Sequence, residues 1–206
     1  RIFDPRSIDF KKKKNFVSFF LSDGDNIQWM MQDFASRYYD VPEAEDVKMT
    51  FGLPVATLAM MAPVQFNNLM GLQKQNCSLM EMLGGGYYYV DTYSQDHNRK
   101  TNLRVAAKRL AVSMRQYQIK LLGIMAMDVK SEAAKEAYQV YVDANDQLEG
   151  IVVLQYSPYA GGEGEVFWVT NKAGYDIPVI TVKYSLWDRI HEREGSPDFI
   201  ASKLKE

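Results

Sequence analysis

Apolar and polar residues follow one another along this chain in blocks: strand-like apolar runs recur, each closed by a polar segment, with stretches of helical period between them. Asn15 to Leu21 (NFVSFFL) is the first run, and its unbroken apolar character predicts a strand buried on both faces, closed by Ser22-Asp23-Gly24-Asp25-Asn26. Asn26 to about Tyr39 reads as a helix with Ile27, Met30, Met31 and Phe34 on one face, and Pro42 to Lys48 as an acidic loop. Pro54 to Leu58 (PVATL) reads as a second strand. Apolar positions from Gln65 to Met82 are only loosely helical, and Gly84-Gly85-Gly86 breaks that stretch. Tyr87 to Val90 (YYYV) is then a third strand, with Asp91 to Lys100 its exit loop.

The second half is patterned more sharply. Thr101 can cap a helix whose apolar positions Leu103, Ala106, Ala107, Leu110 and Met114 all fall on one face. Ile119 to Met127 predicts a fourth strand ending at Asp128, and Ser131 opens an Ala-rich helix running to about Leu148. Ile151 to Tyr156 is the fifth strand. Its exit is the glycine-rich loop Ala160 to Glu165, read as an ordinary connection or a mobile lid, and Val166 to Val169 is a candidate extra strand. Pro178 to Tyr184 is the sixth, leading into Ser185-Leu186-Trp187-Asp188. Ser196-Pro197-Asp198 carries the cap, first-turn proline and first-turn acid of a last helix. Six such alternations within 206 residues leave each the ~30 residues that a βαβ unit needs. The class is α/β, as an irregular or incomplete β/α barrel of about six strand-helix units or as an open doubly wound sheet. Either places function beyond the carboxyl ends of the strands. No interruption divides residues 1–206 into two domains. The chain starts without an initiator methionine, so it reads as a domain or mature fragment of a longer protein.

Composition narrows the function. With 47% apolar residues the chain can bury a core, and 24 basic against 26 acidic residues supply no excess positive field for a nucleic-acid backbone. No run is long and apolar enough to span a membrane. The single Cys77 can form neither an intrachain disulfide nor a CxxC metal knuckle, and it reads as a small buried thiol. His97 and His191 stand in polar surroundings, too few for a histidine zinc site. The aromatic share is high, with 13 Tyr, 10 Phe and 3 Trp, which suits a sugar-binding cleft.

Candidate chemistry gathers at the strand exits: Asp23, Asp25 and Asn26, then Asp91, Asp128, Tyr156 with Tyr159, and finally Trp187 with Asp188. In a closed or nearly closed sheet these converge on one rim. Acids beside rings suit glycan cleavage, where one carboxyl protonates the leaving oxygen and a second attacks or activates water. The two carboxyls then stand about 5 to 5.5 Å apart for retention or about 6.5 to 9.5 Å for inversion. Asp23-Gly24-Asp25-Asn26 is the sharpest cluster, because adjacent carboxylates raise one another's pKa. The same four residues suit a divalent cation such as calcium, or a simple helix cap. An EF-hand is excluded, since its sixth position is Gln28 and its twelfth Phe34. Gly84 to Gly86 precede a predicted strand, opposite to a dinucleotide fingerprint.

Two of these segments resemble a known family. Gly84-Gly85-Gly86-Tyr87-Tyr88-Tyr89 is similar to the motif that names the GxGYxYP putative glycoside hydrolases, and Ser22 to Asn26 is similar to their SDGDN segment. The final proline of the motif is Val90 here. The resemblance implies a β/α barrel-like C-terminal domain and action on polysaccharides. It also implies a secreted or periplasmic location and a further domain on the N-terminal side. It makes Asp23, Asp25, Asn26, Gly84, Gly86, Tyr87 and Tyr89 site-forming. Joined to the strand-end reading, it gives Asp23, Asp25 and Asp128 as catalytic candidates. Asn26, Tyr87, Tyr89, Asp91, Tyr156, Trp187 and Asp188 are candidates for substrate contact, with Gly84 and Gly86 shaping the motif. No cofactor is expected beyond a divalent cation at the acidic cluster. The rival functions are a non-catalytic carbohydrate-binding domain and a metal-assisted polysaccharide deacetylase, the latter without its usual paired histidines.

Overall fold

The computed structural model describes residues 9, 11, 16–22, 27–42, 49–72, 77–82, 87–156, 158–186 and 195–205. Its strands are β1 (Phe19–Ser22), β2 (Met49–Leu53), β3 (Cys77–Met82), β4 (Leu121–Ala126), β5 (Gly150–Gln155), β6 (Val166–Thr170) and β7 (Asp176–Thr181). The helices are α1 (Ile27–Met31), the π-helical turn α2 (Ala35–Tyr39), α3 (Val55–Met61), α4 (Pro63–Gly71), α5 (Arg99–Gln116), α6 (Glu132–Ala144) and α7 (Pro197–Lys203).

The strands make one seven-stranded sheet in the order β1-β2-β3-β4-β5-β7-β6. Every pair is parallel except β6 with β7. From β1 to β5, neighbours in the sheet are also neighbours in the chain. Crossovers between parallel strands are almost always right-handed, so a sequential order returns every helix over the same face. A doubly wound sheet must instead reverse direction partway. Strand order therefore decides between the two architectures: this is an α/β fold with an incomplete, half-barrel sheet and alternating helices.

The two faces of the sheet differ accordingly. On the outer face Phe51, Leu53, Leu122, Ile124, Ile151, Val153, Ile177 and Val179 pack against Leu58, Leu103, Leu110, Tyr138 and Tyr141 of the helices. Each such large side chain contributes roughly 1.5–3 kcal/mol on burial, so this layer holds most of the fold's stability. α5 buries Leu103, Ala107, Leu110 and Met114 there, close to the stripe its sequence predicts. Ser131 caps α6, its Oγ accepting from Ala134 N at 3.1 Å. The inner face carries a smaller cluster of Met80, Met82, Met125, Leu154 and Val182, against which Phe20, Tyr89, Tyr156 and Tyr159 pack. No helical residue belongs to that cluster among the described residues.

Three expectations are corrected. PVATL forms most of α3 rather than a strand, and the second strand is the preceding Met49–Leu53. The loosely helical stretch divides into α4 and β3, so Cys77 opens a strand. Tyr87 to Val90 is an extended exit segment whose single ladder contact is the bridge between Tyr89 and Met125. The expected helix over residues 26–39 appears as α1 and the π-turn α2, with Met30 and Phe34 buried and Met31 exposed.

Candidate functional site

The carboxyl ends of β4 and β5 and the exit segment after β3 lie side by side. The segment is tied to β4 by Val90 N, which donates to Met125 O at 2.9 Å, and Tyr156 N donates to Ala126 O at 2.9 Å. Extended backbone turns alternate side chains to opposite faces. Tyr88 accordingly goes to the helix side, where its hydroxyl bonds that of Tyr141 and its ring lies 4.7 Å from that of Tyr93. Tyr89 goes to the inner face, and Tyr87 joins it there.

A continuous row of tyrosines results. Ring centroids are 5.9 Å apart for Tyr87 and Tyr89, 5.4 Å for Tyr89 and Tyr156, and 5.3 Å for Tyr156 and Tyr159. Tyr87 is exposed at the outer end of the row, its hydroxyl 3.5 Å from that of Tyr89. That hydrogen bond, then burial, then the neighbouring phenols push the Tyr87 pKa above its ordinary value. Tyr87 therefore stays neutral at physiological pH, with an apolar ring face and a hydroxyl that can exchange hydrogen bonds with a sugar.

Two acids stand at the same strand ends. Both carboxylate oxygens of Asp91 accept from Met127 N at 3.0 Å, and Oδ2 also accepts from Asp128 N at 2.9 Å. Asp91 thus closes the end of β4 and fixes where Asp128 begins. Asp128 is exposed, its Oδ1 accepting from Lys130 N at 2.9 Å and its carbonyl from Ser131 Oγ at 2.9 Å. The charges of both acids reach Tyr138, whose pKa rises, chiefly through burial. Lys130 pairs with Glu165 at 2.7 Å. That hydrogen bond, with the charges of Glu165, Glu163 and Asp128, raises the Lys130 pKa.

Two features of this rim went unseen in the sequence. Arg99, at the start of α5, donates to the carbonyls of Tyr93 (2.6 Å), Val90 (2.8 Å) and Ala133 (2.8 Å), joining the tyrosine segment to the first turn of α6. No side-chain pattern announces an arginine whose partners are backbone carbonyls. The glycine-rich loop is a close-packed turn and not a lid. Thr181 Oγ1 donates to Gly162 O at 2.8 Å and to Glu165 O at 3.1 Å, and Glu163 and Gly164 take left-handed φ of 61° and 76°. A Cβ on Gly162 would fall 2.4 Å from Thr181 Cβ, and a β-branched side chain held by two hydrogen bonds cannot yield. Gly162→Ala should lower stability by about 2 kcal/mol, read as a shift in the urea unfolding midpoint. An unchanged midpoint would mean that the loop lifts freely from β7.

The structure thus brings Tyr87, Tyr89 and Tyr156 together, and it joins Asp91 to the backbone of Asp128 at the end of β4. Asp23, Asp25, Asn26, Gly84, Gly86, Trp187 and Asp188 lie outside the described residues. Among the described residues no group of three or more His, Cys, Asp or Glu side chains could hold a metal ion, and no helix is long and apolar enough to cross a membrane. At the position where the resembled motif has proline, Val90 is buried, and the hydrogen bond its N–H gives to Met125 is one that proline could not make.

No curated protein and no solved structure matches the chain. Across residues 13–203, nearly its whole length and including the tyrosine segment, the sequence does match a known family. The chain therefore belongs to the family described as the GxGYxYP putative glycoside hydrolase C-terminal domain.

Proposed function

We propose that this chain acts on a polysaccharide, laying sugar rings along Tyr87, Tyr89, Tyr156 and Tyr159 and cleaving a glycosidic bond with Asp128 and a carboxyl of the Asp23–Asp25 segment. The observation that carries this reading is the unbroken ring-to-ring contact of four tyrosines at the carboxyl ends of the strands; Asp128 follows the carboxyl end of β4. Apolar faces with hydroxyl edges match the alternating CH and OH surfaces of a pyranose. Asp91, with three backbone N–H bonds, serves as the positioning residue for Asp128. One of the two carboxyls protonates the leaving oxygen, while the other attacks the anomeric carbon or activates water. Substrates too large to enter a cell would place this work outside the cytoplasm, in a secreted or periplasmic setting.

Reducing ends released from a panel of polysaccharides test the reading. The wild type should release them, and Asp128→Asn should lose roughly 10²- to 10⁴-fold in turnover while still binding the same glycan. Tyr156→Ala should weaken binding itself. Binding without turnover by the wild type would make the chain a carbohydrate-binding domain, and acetate release without chain cleavage would make it a deacetylase.

A further inference from the structure

The inner face of the sheet continues past the tyrosines to the antiparallel edge. On β6 the side chains alternate: Phe167 and Val169 pack on the outer cluster, so Val166, Trp168 and Thr170 point to the opposite face. Val166 pairs with Ile180 and Trp168 with Pro178, and Ile180 pairs in turn with Val152 on β5. Val166, Trp168 and Ile180 are 48%, 47% and 42% exposed, an uncommon density of large apolar side chains on one patch of surface. The rings of Tyr156 and Tyr159 rest on the cluster containing Leu154 and Val182, the next inner-face positions along β5 and β7. The apolar strip is therefore continuous with the tyrosine row.

Its chemistry is uncharged along Val152, Ile180, Val166, Pro178 and Trp168. The first ionisable side chain beyond them on β7 is Asp176, whose Oδ1 accepts from Thr170 Oγ1 at 2.6 Å. Asp176 at the far end, with no lysine or arginine among the strip's own residues, disfavours anions. From the strand registers, Tyr156 stands six residues further along and two strands over from Trp168. At ~3.3 Å per residue and ~4.8 Å per strand that separation is about 22 Å, a span of about four pyranose rings.

We propose that the strip of Ile180, Val166 and Trp168 is a remote subsite for a neutral, extended oligosaccharide whose other end lies on the tyrosine row. This rests on the glycan reading above and adds to it a length requirement and a charge preference. Trp168 is the anchor, because its ring offers the largest exposed aromatic face on the strip. A shorter glycan occupies the tyrosines alone.

The test is calorimetric titration of the chain with neutral gluco-, manno- and xylo-oligosaccharides of two to six units, and with oligogalacturonates of the same lengths. In the wild type, affinity for at least one neutral series should rise roughly three- to tenfold between the trimer and the hexamer. Trp168→Ala should abolish that rise and leave dimer and trimer affinity unchanged, with Trp168→Phe intermediate. Thermal unfolding of each variant checks that the edge strand still folds. Oligogalacturonates should bind more weakly at every length, and added salt should narrow the difference. A length dependence that survives in Trp168→Ala overturns the subsite and leaves the tyrosine site standing, as does preferential binding of the uronates. No binding of any sugar by the wild type overturns both. A dimer that Trp168→Ala converts to monomer assigns the strip to a second copy of the chain and overturns the proposal.

Discussion

Wild-type stability should fall by on the order of 4 kcal/mol between pH 5 and pH 8, and Glu81→Gln should abolish that fall. Glu81 lies on the outer face of β3, 1% exposed, under the first turn of α3. Its Oε2 accepts from Ala56 N at 2.8 Å, whereas Oε1 is buried without a hydrogen-bond partner. Burial raises its pKa from 4.5 to about 8, against the opposing pull of the Ala56 and Val55 N–H groups. A carboxyl whose folded pKa exceeds its unfolded value must take up a proton on folding at intermediate pH. Its favourable contribution is complete below about 4.5, declines through the interval and is lost above about 8, at up to ~1.4 kcal/mol per pH unit. Glutamine keeps an acceptor for Ala56 N and has no proton to take up. The variant should therefore hold a flat profile in urea unfolding at pH 5, 6, 7 and 8, and surpass the wild type at pH 8. A flat wild-type profile would show that the carboxylate is already compensated in the fold and would end this account.

Glu81 also marks where the sequence stops being readable. An acid in Cys-Ser-Leu-Met-Glu-Met hides the strand, because alternation there must accommodate a residue that usually faces water. The residue is tolerated because its partner, the N-terminus of α3, arrives from elsewhere in the chain. PVATL misleads for a related reason: valine and threonine favour strands locally, yet Pro54 as N-cap and the Glu81 carboxyl together start a helix. β4 and β5 were legible from their apolar runs and α6 from its period and its Ser131 cap; α5 was legible from its period alone, since it starts at Arg99 with Asn98 as N-cap, ahead of the expected Thr101. Alternation of strands and helices was enough for the α/β class, while strand order, on which the half-barrel depends, is a long-range property. At the rim, Tyr156 was legible as a strand exit, whereas Tyr87 and Tyr89, read as part of a strand, entered through the resembled motif. The backbone role of Asp91 was not legible, since its two donors, Met127 N and Asp128 N, belong to the exit of β4, more than thirty residues away.

The same limit applies to Arg99, for which the second large effect is expected. Arg99→Ala should destabilise the chain by about 3–4 kcal/mol, since hydrogen bonds from a charged donor contribute roughly 1.5–3 kcal/mol each and water can refill part of the gap. Its guanidinium side chain is 15% exposed, and Nε stands 3.6 Å from Glu136 Oε2, an ion-pair contact rather than a hydrogen bond. The principal partners are therefore the carbonyls of Val90, Tyr93 and Ala133, which a planar fork reaches together. Arg99→Lys keeps the positive charge near Glu136 but not the fork, so it should recover about half of the loss. Because Val90 adjoins Tyr89 and Asp91, loosening this staple should also spread the positions of both side chains. Arg99→Lys, folded at 25 °C, should then bind sugars more weakly than its stability loss alone explains. Urea unfolding and glycan titration on the same two variants separate the effects. A loss below 1 kcal/mol in Arg99→Ala would mean that water satisfies the three carbonyls unaided. Full glycan affinity in Arg99→Lys would mean that the ladder contact with β4, rather than the arginine, sets the tyrosine row.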